Sequence, residues 1–135
     1  MNLLKCDSWA VILNNSDKES KAYKILDELK RNMYKVVAID EEKKPIEGID
    51  VYECLKDVPH NIDVVAIIDK QSKMDVILEE VELLDIQNMW FEKGSFSEMM
   101  IKKTKDLKLN IEYNINILDL FKGKNEINIL IEYNI

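Results

Sequence analysis

Few side chains in this sequence have the type and spacing to do chemistry. Cys6 and Cys54 lie far apart in the chain, without the close spacing of a metal knuckle or the density of a secreted disulfide scaffold, and read as two reduced thiols with no redox role. His60 is the single histidine and follows Pro59. Zinc sites and Ser-His-Asp catalysis each gather several His, Cys or carboxylate groups, so a lone loop histidine offers little to build with. Without a positioned nucleophile and base, the sequence predicts a protein that is not an enzyme. The groups that remain suit binding. Asp40 closes an apolar run, where ribose-binding acids stand in dinucleotide sheets, although a solvated strand-end carboxylate is the plainer reading. Lys18, Lys21, Lys24 and Lys70 could offset the charge of an anionic ligand or simply form solvated faces.

The 135 residues amount to 15.8 kDa, the size of one domain spanning residues 1–135. The composition is 47% hydrophobic, enough for a packed core. With 19 basic against 26 acidic residues the net charge is -7, the wrong sign for a protein that neutralises phosphate backbones, so nucleic acid is not an expected partner. No run of eighteen apolar residues suggests a membrane span, and Met1 to Asp7 lacks the layout of an export signal. The expectation is a cytoplasmic protein with no membrane association.

Short β-rich runs alternate with stretches of helical period, the pattern of βαβ units around a parallel sheet. Trp9 to Leu13 is a continuous apolar run suited to a central strand buried on both faces. Ser16-Asp17-Lys18-Glu19 has the form of a capping box, which predicts a helix from Ser16 with Ala22, Leu26, Leu29 and Met33 on its inner face. Lys35 to Asp40, Val51-Tyr52, Ile62 to Ile68 and Ile86 to Phe91 read as further strands. Ser72 is placed to cap a helix carrying Met74, Ile77, Leu78, Val81 and Leu84, and Ser95-Phe96-Ser97-Glu98 to open another that runs to about Leu107. The fold class is therefore α/β, a doubly wound, mostly parallel Rossmann-like sheet. Ligands of such sheets sit beyond the carboxyl ends of the strands. The loops to inspect are Leu13 to Ser16, Asp40, Ile68 to Lys70 and Trp90 to Ser95, with helix starts at Ser16 and Ser95 able to hold an anion. Glycines that would let the first loop approach a pyrophosphate are absent.

The order Trp9-Ala10-Val11-Ile12, capped helix, Tyr34-Lys35-Val36-Val37, Asp63-Val64-Val65 and Trp90-Phe91-Glu92-Lys93-Gly94 resembles the small single-domain CoA-binding proteins. These are a Rossmann-like family related to the CoA-binding domain of the succinyl-CoA synthetase alpha subunit. The likeness runs over residues 9 to about 116, and Trp-x-x-x-Gly is its most specific piece. It implies non-catalytic binding of CoA, acyl-CoA or a related adenine nucleotide over the first βα loop and the ends of the central strands. The residues it places around the ligand are Asn14, Asn15, Ser16, Tyr23, Ile68, Lys70, Trp90 and Gly94. Trp90 is expected at the crevice. Leu13-Asn14-Asn15 stands where the family has Gly-x-Ser, and Asp69-Lys70-Gln71 where it often has Arg-x-Pro. Leu13 and Asn14 should crowd the phosphate path, which predicts weak binding. The other reading of the same residues is a scaffold that has lost its ligand and acts through protein–protein contact.

Ile111-Glu112-Tyr113-Asn114-Ile115 recurs as Ile131-Glu132-Tyr133-Asn134-Ile135. Both copies alternate, so residues 117–135 are expected to form a β extension whose strand pairs antiparallel with Ile111 to Leu118. A strand over residues 127–131 at a free edge would invite a second subunit, which predicts a symmetric homodimer through the C-terminal strands.

Overall fold

Strands made of Val, Ile, Ala and aromatic residues without polar alternation need cover on both faces, and a parallel sheet between two helix layers supplies it. The structure, a computed structural model, describes residues 2–14 and 20–122. Strand β1 (Ser8–Ile12) leads to α1 (Lys21–Arg31), β2 (Lys35–Ile39), β3 (Asp50–Tyr52), a 3-10 turn at Leu55–Asp57 and β4 (Val64–Ile67). Next come α2 (Met74–Leu83), β5 (Asn88–Glu92), α3 (Glu98–Asp106) and β6 (Asn110–Ile115), and residues 117–122 are helical. The sheet order is β3-β2-β1-β4-β5-β6, with every neighbouring pair parallel. This is the doubly wound order, and the chain switches direction of travel between β1 and β4. Ile12 lies level with Ile39 and Ile67, so the carboxyl ends of the three central strands share one rim.

Strand alternation divides the core in two. Trp9, Val11, Leu13, Ala38, Val64, Ala66 and Trp90 meet Ala22, Ile25, Leu26 and Leu29 of α1 together with Ile117 and Phe121. On the opposite face Ala10, Ile12, Val37, Ile39, Val65, Ile67, Met89 and Phe91 meet α2 and α3. Aromatic rings bind the first layer together. Trp9 packs against Tyr34 at 6.1 Å and Trp90 at 6.0 Å, and Tyr34 against Phe121 at 5.9 Å, in tilted and edge-on arrangements that suit the ring quadrupoles.

The helix starts differ from those the sequence suggested. Helix α1 is capped by Ser20, whose Oγ accepts from Tyr23 N at 3.2 Å, one turn after Ser16. It ends at Arg31, and Met33 takes a left-handed φ of 69° and is 87% exposed, so it does not extend the buried face. Ser72 caps nothing: α2 follows Lys73 without a side-chain cap. Ser97, not Ser95, caps α3 by accepting from Met100 N at 3.3 Å. Ser95 is buried, with Oγ donating to Glu92 O at 2.7 Å. The first copy of the repeat is a strand, β6, as expected, but it ends at Ile115. β6 runs parallel to β5, with α3 as the crossover, and residues 117–122 are helical rather than extended. The second copy of the repeat, the antiparallel strand over residues 127–131 and the dimer built on it lie outside the described residues.

Glu92 ends β5 with no exposed surface, pointing to the same side of the sheet as Trp90. Its Oε1 accepts from Trp90 Nε1 at 3.0 Å and from Ile117 N at 2.9 Å. Lys21, in the first turn of α1, brings Nζ to 2.9 Å from Oε2 and also donates to Asn116 Oδ1 at 2.5 Å. The Glu92–Lys21 contact is an ion pair rather than an aligned hydrogen bond. A bulge makes the arrangement reachable. Phe91 pairs with Tyr113 and Glu92 with Ile115, and the skipped Asn114 takes φ of 61°, which Asn tolerates better than most residues. The extra residue turns the chain so that Asn116 and the amide of Ile117 arrive over the carboxylate. Glu92→Ala should therefore lose about 2–5 kcal/mol in chemical denaturation, since it strands two buried donors. Lys21→Ala should lose less, because the lysine side chain is 38% exposed and water replaces part of its role. A Glu92→Ala loss below about 1 kcal/mol would contradict this role.

Candidate functional site

Beyond the rim of β1, β2 and β4 lies a cleft of about 780 Å³, between the first βα loop, the β2–β3 connection and the start of α2. Its size matches ordinary small-molecule sites, which span about 300–1,000 Å³. Ile12, Leu13 and Ile39 form its inner end, and Val76 and Ile77 of α2 one side. The mouth carries Lys70, Gln71, Ser72 and Lys73 after β4, facing Asp40, Glu41 and Glu42 after β2. Glu53, Cys54, Leu55 and Glu80 complete the wall.

Several of these polar groups already have partners. Asn14 Nδ2 donates to Lys70 O at 3.0 Å, tying the first loop to the loop after β4 across the switch point. Asp40 is buried and uses both oxygens on its own loop, accepting from Glu42 N at 3.2 Å and Lys44 N at 3.1 Å. It organises the turn, where Lys43 takes φ of 50°, and is not the solvated carboxylate that its position in the sequence suggests. Buried Glu80 accepts from Lys56 N at 3.1 Å and pins the 3-10 turn to α2. Lys73 Nζ meets Glu41 at 3.1 Å across the mouth, and Lys44 pairs with Glu42 at 2.9 Å. Cys54 has its thiol pushed above the ordinary cysteine range by burial first, then by its hydrogen bond to Asp57 and the nearby Glu80 charge. Burial and the charges of Asp63 and Glu112 do the same to Cys6. Neither thiol is set up as a nucleophile. Among the described residues no group of three or more His, Cys, Asp or Glu could hold a metal ion, and no helix is long and apolar enough to cross a membrane.

The residues picked from the sequence separate in space. Asn14 and Lys70 meet at the cleft, directly bonded. Ile68 is buried in the α1-side core just behind them. Tyr23 lines a different, apolar groove of about 430 Å³ with Leu26, Ile46 and Ile49. Gly94 turns the chain at φ of 85°, with open space where a Cβ would stand, so backbone conformation rather than close approach requires glycine there. Trp90 corrects the expectation of a crevice tryptophan: it is wholly buried between Trp9 and Glu92, because the strand that carries it is covered on both faces. Leu13, at the inner end of the cleft, is buried in the core beside α1. Asn15 and Ser16 lie outside the described residues. The sequence reading missed Glu41, Glu42, Glu53 and Glu80 as cleft residues, and it missed Glu92, although an acid closing the apolar run Met89-Trp90-Phe91 was a visible signal.

No curated protein matches the chain. Solved structures do. A protein from Thermus thermophilus aligns with a TM-score of 0.78 at 17% identity, covering 90% of this chain and 92% of its own. A hypothetical protein from Pyrococcus horikoshii OT3 aligns with 0.77 at 19% identity, covering 87% and 83%. The dinucleotide-forming acetyl-coenzyme A synthetase 1 of Ca. Korarchaeum cryptofilum aligns with 0.69 at 18% identity over 84% of this chain but only 28% of its own. At these identities the likeness establishes the fold. The model of the CoA binding domain matches residues 7–118, nearly the whole of the sheet and its helices, and the chain belongs to that family.

Proposed function

We propose that the protein binds CoA, acyl-CoA or a related adenine nucleotide, without catalysis, in the cleft at the carboxyl ends of β1, β2 and β4. The observation that supports this most is the cleft itself, which opens at the switch point of the sheet in a chain of the CoA binding domain family. Ile12, Ile39, Val76 and Ile77 offer an apolar seat for a base, and Lys70 a charge for a phosphate. Binding is weak for two reasons. The Asn14–Lys70 bridge closes the direct path over the first loop. Among the described residues the lining also carries five carboxylates, Asp40, Glu41, Glu42, Glu53 and Glu80, against Lys70 and Lys73. Both features equally favour the second reading, a family scaffold that has given up its ligand and works through protein contact.

Calorimetry with CoA, acetyl-CoA, ATP and NAD separates the two. Heat from CoA or acetyl-CoA is the expected result, and none from any ligand up to about 1 mM, equivalent to only about 4 kcal/mol, would leave the ligand-free reading. Because like charges meet at the mouth, CoA should bind more tightly as salt shortens the Debye length from about 30 Å to about 8 Å between 0.01 and 0.15 M. Weaker binding with salt would contradict the electrostatic account. Asn14→Gly removes the bridge to Lys70 and should tighten CoA binding. Leu13→Gly should instead lose roughly 2–5 kcal/mol of stability, as large-to-small core substitutions do, and calorimetry and denaturation of the two variants check the contrast. With their thiols held protonated, Cys6 and Cys54 should alkylate with iodoacetamide at pH 7 more slowly than a free cysteine, which mass spectrometry reads directly.

A further inference from the structure

We propose that the cleft takes adenine nucleosides in preference to their phosphates, with the carboxylates of its mouth and wall as the selecting groups. This rests on the nucleotide-binding reading of the cleft and names its ligand class. The base seats on Ile12, Ile39, Val76 and Ile77, so the sugar and anything attached to it must leave past the mouth. Existing pairs decide what those groups meet there. Lys73 Nζ is held by both oxygens of Glu41, at 3.1 and 3.3 Å, and Glu42 is matched by Lys44 at 2.9 Å. Among the described residues Lys70 is then the one lining cation outside an ion pair, while Asp40, Glu53 and Glu80 have no cationic partner.

Hydrogen-bonding capacity and charge point the same way. An ionised carboxylate only accepts, and phosphate oxygens are acceptors too, whereas ribose hydroxyls and the amino group of adenine donate. Glu80 is 8% exposed and gives Oε2 to Lys56 N, but its Oε1 makes no hydrogen bond among the described residues. Glu53 also lines the cleft, is exposed, and makes no side-chain hydrogen bond among the described residues. These two acceptors suit the donors of a sugar and repel a phosphate. Asp40, 6% exposed, adds a charge that salt screens less than it would a surface one. A phosphate at the mouth therefore meets more negative charge than Lys70 offsets, and each further phosphate adds to the repulsion.

Calorimetry on the full chain with adenosine, AMP, ADP and ATP, at one pH and about 0.15 M salt, tests it. Adenosine is expected to bind tightest, with affinity falling about threefold or more at each added phosphate. Glu42→Lys, which turns a mouth acid into a cation, should narrow the adenosine-to-ATP ratio by about tenfold. Glu98→Lys makes the same change of charge on α3, outside the cleft lining, and should leave that ratio as it is. Both positions are exposed, and unchanged far-ultraviolet circular dichroism checks that each variant folds. Affinity that stays level or rises with phosphate number would overturn the inference and leave nucleotide binding standing. So would a ratio that Glu42→Lys does not move, or that Glu98→Lys moves as far, since net charge and not the cleft would then set it. Heat from CoA with none from adenosine or its phosphates up to about 1 mM would likewise overturn this inference alone, and none from CoA either would overturn both.

Discussion

A carboxylate with no exposed surface has to be matched by donors and by charge, and Glu92 meets that demand by drawing three separate parts of the chain to the end of β5. The indole of Trp90 fixes it from within its own strand, Lys21 reaches it from the start of α1, and the amide of Ile117 reaches it from the beginning of the last described helix. Each donor belongs to an element on the same side of the sheet. The aromatic cluster of Trp9, Tyr34, Trp90 and Phe121 then fills the space below. Burying the pair is not in itself a gain, since desolvation offsets much of the attraction. What it supplies is a single arrangement: any shift of α1 or of residues 117–122 would leave a buried charge unmatched.

The opposite side of the rim uses carboxylates differently. Asp40 and Glu80 are spent on backbone amides of the β2–β3 connection and of the turn that follows β3, which gives the cleft fixed walls. A phosphate group is held elsewhere by free N–H groups and cations. Here Asn14 is bonded to Lys70 O, and among the described residues the mouth is mostly negative. The crevice stands at the switch point of a doubly wound sheet, and its described lining is mostly acidic.

Much of this was legible in the residues. Continuous apolar runs such as Trp9 to Leu13 identified the strands, because a strand buried on both faces has no polar alternation, and strands alternating with helical periods fixed the parallel, doubly wound class. Helix starts were not legible. Serines occur at positions 16, 20, 72, 95 and 97, all within a turn or so of a helix, and which of them caps is decided by how the helix must land on the sheet. The site was only partly legible. Asn14 and Lys70 follow from position at strand ends, but Trp90 ends a strand covered on both faces and so has no crevice to face. The acids of the cleft wall come from a turn and a helix that only the three-dimensional packing brings to the rim.

The central claim, that the ligand-binding region is the cleft at the ends of β1, β2 and β4, is tested most directly by mapping backbone amide shifts in a nuclear magnetic resonance titration with CoA. Shifts concentrated at Leu13, Asn14, Asp40, Glu41 and Lys70 to Lys73 are the result this account predicts. Shifts gathered instead at Tyr23, Leu26, Ile46 and Ile49, or none at all at saturating CoA, would contradict it.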